Sequence, residues 1–156
     1  MHKSLRKILD KTLRTLCVVL FAFMTVLATY QVVTRYFFYR PSTISEELLT
    51  YSFAWMSLLV AAYVFGKQDH MRMTFIVEKF SKENQRKFVI TREIITLIFA
   101  IVILIYGGFS IAQLGMGQQS SSLGIPMGYV YLVLPVSGII TMIYNILNLR
   151  DLIQEK

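Results

Sequence analysis

The chain has 156 residues, 55% of them hydrophobic, and a formal net charge of +7 at pH 7. So apolar a chain of this length leaves little outside a membrane, which excludes a separate soluble catalytic domain. Without a compact basic domain the positive charge gives no support to nucleic-acid binding; it is a topology and anionic-lipid signal.

The first apolar run extends from Thr15 to Thr34, uncharged between Arg14 and Arg35, and matches the roughly 20 residues an α-helix needs to cross a bilayer. A basic segment precedes it, as in a secretory signal. The run is longer than a signal core of about 7–15 residues, and Tyr30-Gln31-Val32-Val33-Thr34 lacks a small-residue cleavage pattern. The expectation is a retained helix. Cys17, the single cysteine, lies inside it, can form no intramolecular disulfide, and reads as a small apolar residue.

Tyr30, Tyr36, Phe37, Phe38 and Tyr39 gather where an aromatic belt meets the headgroups. The second run, Leu48 to Gly66, follows Glu46 and Glu47 and ends at Lys67. Arg35, Glu46 and Glu47 sit at one level, as a boundary cluster or as simple helix-end anchors. Trp55, about a third of the way into this helix, is expected to pack against protein, the alternative being a lipid-facing position.

In the second connection Met73, Ile76, Val77 and Phe80 recur at i, i+3, i+4 and i+7, with Arg72, Glu78 and Lys79 elsewhere, the pattern of a short helix lying in the membrane interface. Ser81 is placed to cap a new helix, and Glu83 and Lys87 have ion-pair spacing. Continued from Lys82 to Gln113, that helix would be about 48 Å long and would tilt or project beyond the membrane. The alternative is a charged loop ending near Arg92.

From Ile94 to Leu149 there is no charge. The Gly-, Gln- and Ser-rich stretch Gly115 to Pro126 divides this run into two further spans. Pro135, inside the last one, lacks an N–H and clashes with the preceding turn, so a kink is expected. The reading is an all-α integral membrane protein in one domain. Its spans lie near residues 15–36, 46–66, 90–113 and 128–149, with the interfacial helix at 72–80.

Lys and Arg concentrate in the amino-terminal segment (Lys3, Arg6, Lys7, Lys11, Arg14) and the second connection (Lys67 through Arg92). The first connection has only Arg35 and Arg40, and the third has none. The positive-inside rule then puts both termini and the second connection in the cytoplasm. The histidines, His2 and His70, fall outside the spans, so axial haem ligation inside the bundle fails. No catalytic triad, metal-binding cysteine pattern or phosphate-binding glycine loop occurs, and neither an enzyme nor a cofactor is expected.

In order and spacing the chain resembles the small membrane subunit of tripartite ATP-independent periplasmic (TRAP) transporters, the DctQ-like or Q subunit. The likeness rests on Arg35-Tyr36, on Glu46-Glu47-Leu48 followed by Trp55, and on Lys67, His70 and Met71-Arg72-Met73. It continues through Ile125-Pro126-Met127-Gly128-Tyr129 and Leu134-Pro135-Val136. The resemblance implies a scaffold in the bacterial inner membrane beside a large multi-spanning subunit, which would hold the sodium and substrate sites and move as an elevator. A periplasmic binding protein would deliver an organic acid such as a C4-dicarboxylate or a sialic acid.

Candidate contacts with the large subunit are Arg35, Glu46, Glu47, Trp55 and Pro135. Arg40, Ser121 and Pro126 are candidates for docking the binding protein, and Met73, Ile76, Val77 and Phe80 for lipid. The competing reading is a self-sufficient small four-helix transporter or a homo-oligomeric membrane protein.

Overall fold

Long apolar stretches satisfy their backbone inside a bilayer only as helices or closed barrels, and helices are what form. In a computed structural model, residues 2–67 and 82–154 are described, with side chains over 4–67 and 87–152. In chain order come α1 (His2–Tyr36), α2 (Thr43–Lys67), α3 (Lys82–Phe99), a π-helical segment (Ala100–Gly107), α4 (Gly108–Gly115), α5 (Met127–Tyr131) and α6 (Val133–Gln154). They build four helices long and apolar enough to cross a membrane, Ser4–Tyr36, Thr43–Lys67, Lys87–Gly115 and Met127–Leu152. The proposed interfacial helix at 72–80, with Met73, Ile76, Val77 and Phe80, and the Ser81 cap lie outside the described residues.

The helix that carries the first span begins well before Thr15, because the basic segment is itself helical and runs into it. Lys82 to Gly115 is likewise helical throughout, through α3, the π segment and α4. The last span is interrupted at Leu132, between α5 and α6. Pro135 explains the place: it cannot donate to the carbonyl of Tyr131, four residues back, and its ring crowds that turn. The path recovers at once, with the Val136 N–H bonded to the Leu132 carbonyl at 3.2 Å.

The helices pack in the order α1, α2, α6, α3, with α6 inside the row. Leu13 of α1, Leu59 of α2 and Tyr144 of α6 form the buried cluster joining the first three, and Leu9, Cys17, Leu20, Trp55, Tyr63 and Ile140 close round it. The third and fourth spans meet through small residues, which let backbones approach where no hydrophobic drive exists. A Cβ at Gly138 would come within 2.7 Å of Leu104 Cβ, and one at Gly108 within 2.6 Å of Leu134 Cβ. At Gly128 it would meet the Ala112 carbonyl oxygen at 2.5 Å. The contact row on the third span is thus Ala100, Leu104, Gly108 and Ala112, every fourth residue. An α-helix carries each fourth residue forward by roughly 40° around the axis. The wider turns of Ala100–Gly107 oppose that drift and keep the row on the fourth span.

Candidate functional site

Both termini lie at one end of the bundle, and polar side chains tie the helices together there. Tyr144, almost wholly buried on α6, donates its hydroxyl to Asp10 Oδ1 on α1 at 2.6 Å. Arg6 reaches Asp151 Oδ2 with Nη1 at 3.1 Å and the carbonyl of Gly66 with Nη2 at 2.9 Å, so one guanidinium touches α1, α2 and α6. The Gly66 carbonyl is among those that the end of α2 leaves without an intrahelical donor. Lys67, next in the chain, lies 4.9 Å from the Tyr63 ring centroid, a cation–π contact within α2.

The third span has its own ion pair near this end, Arg92 to Glu93 Oε1 at 2.8 Å, with the Glu93 side chain 5% exposed. Ser137, Thr141, Asn145 and Asn148 form a buried polar row along α6. The two hydroxyls bond to backbone carbonyls of their own helix. Asn145 Oδ1 and both amide atoms of Asn148 have no hydrogen-bond partner.

At the opposite end α2 begins with Ser42 as its cap: the Ser42 hydroxyl accepts from the Ser45 N–H at 3.4 Å, the usual reach of a cap to the third helical residue. One turn in, Glu47 accepts from two successive backbone amides of the third connection, Ser122 N–H to Oε1 and Leu123 N–H to Oε2, each at 3.1 Å. A further turn along α2, the Tyr51 hydroxyl meets Met127 Sδ at 3.2 Å.

The connection that receives Glu47 is a tight hairpin. Met127 N–H bonds to the Gln118 carbonyl, Ser120 N–H to Ile125, and Gly124 N–H to Ser120, with a bridge between Gln119 and Pro126. Gly124 makes the turn at a φ of 65°, a left-handed conformation glycine adopts at no steric cost. The backbone bonds, with Glu47, give this Gly- and Ser-rich stretch a defined shape.

Of the sequence-derived candidates, Arg35, Arg40, Glu46 and Ser121 are exposed, and Trp55 and Pro126 are partly buried. Pro135 is buried, under Gly108. Among the described residues no ion pair joins Arg35 to either glutamate: Glu46 faces outward, and Glu47 turns to the hairpin.

Sequence reasoning did not single out Asp10, Tyr144 or the α6 row. Asp10 is the only acid in an otherwise basic segment, and Ser137, Thr141, Asn145 and Asn148 repeat at helical spacing inside an apolar run, so both carried a signal. The first connection closes with Arg40 N–H on the Thr34 carbonyl and Tyr39 at a φ of 52°, which leaves Phe37, Phe38 and Tyr39 exposed at the helix end.

Between the facing halves of α1 and α2 runs an open apolar groove of about 460 Å³, lined by Phe21, Met24, Ala28, Leu49 and Phe53 together with Thr25 and Thr50. Both threonine hydroxyls bond to carbonyls of their own helix, Phe21 and Glu46, so they offer the groove no free donor.

Charged side chains among the described residues thus gather at the two ends of the bundle, and its middle is packed with apolar and small groups. This is the build of a multi-pass membrane protein. The family described as "Tripartite ATP-independent periplasmic transporters, DctQ component" matches residues 24–155, and the chain belongs to it. A protein of Haemophilus influenzae designated as a TRAP transporter small permease is 30% identical over 140 residues, covering 90% of this chain and 86% of that protein. The sialic acid TRAP transporter small permease protein SiaQ of Vibrio cholerae is 30% identical over 155 residues, covering 94% of this chain and 88% of SiaQ. As a small permease subunit the chain is a transporter component and not an enzyme.

Proposed function

We propose that this chain is the fixed small subunit of a sodium-coupled uptake system for an organic acid, held in the bacterial inner membrane beside a larger, moving subunit. The observation that carries this reading is the bareness of α1. None of its most apolar stretch is buried within the chain, and Val18, Val19, Phe21, Val26 and Val32 are all more than half exposed. A membrane helix so little covered by its own chain is available to a partner, and the groove beside it gives side chains from that partner a place to insert. Arg35 and Glu46, exposed at the rim above the groove, extend the same face to the membrane boundary.

The sialic acid relative supports an acid of that class, and C4-dicarboxylates are the other acids the family reading covers. The chain needs no cofactor; sodium coupling belongs to the large subunit, and lipids cover what remains of the apolar surface. The charge asymmetry supports termini in the cytoplasm and the hairpin in the periplasm. There the exposed Arg40 and Ser121 flank the place where a soluble binding protein docks, in a small and transient contact.

Co-expression with the large subunit tests the assignment. The two should co-purify, and liposomes holding this chain alone should accumulate no sialic acid while the pair with its binding protein does. Uptake by the chain alone would establish the self-sufficient transporter instead. In a Cys17→Ala background, Ser121→Cys should be labelled by an impermeant thiol reagent from the periplasm and Ser4→Cys should not; the reverse pattern overturns the orientation.

A further inference from the structure

We infer that Glu47 is a positioning residue that sets the outer hairpin in the shape met by the binding protein, a role that rests on the docking reading above. Its two carboxylate oxygens take one N–H each from Ser122 and Leu123, the two residues before the turn at Gly124. A carboxylate bonded to two amides is among the stronger polar contacts available. It is also the contact that fixes the hairpin tip to α2, which is distant from it in sequence.

Alone, the hairpin has little to hold it. Its own ties are the bonds at Met127, Ser120 and Gly124, and an isolated two-stranded hairpin is marginal in water. Those bonds fix its internal shape and not its attitude to the rest of the molecule. Glu47 supplies the attitude. It lies one turn from the outer end of α2, and Tyr51 on the same face meets Met127 at the hairpin base, so α2 grips the hairpin at both tip and root.

The exposed residues of the tip, Ser121, Gly124 and Ile125, are thereby held against the outer end of α2. The hairpin carries no charged side chain of its own, so Glu47 is the acid bound at its tip, while Glu46 stays exposed. A loop ordered before contact loses less entropy on binding than one that must be ordered by its partner. In a transient complex the gain appears as a lower half-saturating concentration of binding protein, not as a higher plateau.

The test uses the complete membrane complex in nanodiscs with fluorescently labelled binding protein, read by anisotropy, alongside hydrogen exchange at the hairpin amides. In Glu47→Ala, exchange at Ser122 and Leu123 should quicken, and the half-saturating concentration should rise roughly three- to ten-fold at an unchanged plateau, the scale of re-ordering a short loop. Glu47→Gln keeps one acceptor oxygen and should fall between Ala and wild type, a graded rescue that a purely steric role would not give.

Unchanged exchange in Glu47→Ala overturns the clamp. Faster exchange with an unchanged half-saturating concentration overturns the positioning role, and a plateau that falls because the complex dissociates makes Glu47 a structural residue instead. Ser121→Trp separates these failures from that of the docking reading. If it shifts the curve while Glu47→Ala does not, the hairpin docks and Glu47 is irrelevant; if neither shifts it, the hairpin is no docking surface.

Discussion

The first and last spans are built on opposite plans. Half of the most apolar stretch of the fourth span is buried inside the chain and none of that of the first. The fourth is locked along its length by small residues meeting backbone, as at Gly128 against Ala112 and Gly138 against Leu104. The first is held chiefly near the termini, through Leu13, the Asp10 contact with Tyr144 and the reach of Arg6 to Asp151 and Gly66. Packing that depends on close backbone approach fixes a helix everywhere, whereas polar ties at one end fix its position and leave its far half uncovered. The proposed scaffold role needs both, a rigid interior and a face for a partner.

The largest effect should come from the locked half. A Cβ at Gly128 would sit 2.5 Å from the Ala112 carbonyl oxygen, which is backbone and cannot swing away. Gly128→Ala should destabilise the chain by the upper part of the about 1–3 kcal/mol typical of overpacking, and Gly128→Val by more. Val26→Ala, at a position 67% exposed on the first span, should change the stability of the chain alone by less than about 0.5 kcal/mol. Thermal unfolding in detergent compares them directly, and equal losses would mean that the two spans are held in the same way.

The polar ties come next. Asp10→Ala leaves the Tyr144 hydroxyl without its acceptor, and Tyr144→Phe removes the same hydrogen bond while keeping the ring. A bond to a charged group is worth about 1.5–3 kcal/mol, so each variant should lose roughly that much, and the double variant little more. Hydrogen exchange should quicken at the termini end of α1 and stay as it was at the hairpin. Additive losses would show that Asp10 and Tyr144 act separately.

These contrasts also mark how far the sequence could be read. The four spans were legible because a charge-free apolar run of bilayer length has few alternatives, and the break near Pro135 because a missing N–H acts locally. The dividing stretch was legible as a turn from its glycines and serines. Its attitude was not, because that depends on Glu47, which precedes it by a whole helix hairpin. The part Glu47 plays there was hidden for the same reason: its partners are backbone amides, which every residue but proline carries and which leave no mark in composition. The π segment was hidden as well, since Ala100 to Gly107 is uniformly apolar and its wider turns answer to the fit against Gly138.

A smaller effect, and of opposite sign, is expected within the buried row of α6. Both amide atoms of Asn148 are buried and unpartnered, and an unsatisfied buried polar group costs about 1–3 kcal/mol. Asn148→Leu is close in volume and removes that cost, so it should leave the isolated chain as stable as wild type or raise stability by up to about 1 kcal/mol. A clear loss in the same unfolding assay would show that Asn148 is satisfied in the membrane by a bond worth more than the packing of leucine.

The smallest effect belongs to the ion pair at the termini. Arg6 and Asp151 are 31% and 57% exposed at the side chain, so water and salt screen their attraction, and a pair of this kind contributes about 0.2–1 kcal/mol. A double-mutant cycle on Arg6→Ala and Asp151→Ala should return a coupling in that range and shrink as salt is raised. The two single variants should not match, because Asp151→Ala removes the ion pair alone, while Arg6→Ala also strips the donor from the Gly66 carbonyl, bonded at 2.9 Å. Gly66 lies against the Tyr144 ring, where even a Cβ would come within 2.5 Å, so loosening the end of α2 disturbs the Asp10–Tyr144 tie as well. Arg6→Ala should therefore cost more than Asp151→Ala and retain most of that excess in high salt. If both variants cost the same and both losses vanish with salt, Arg6 is only a surface charge, and the first span hangs from the Asp10–Tyr144 bond and the Leu13 cluster alone.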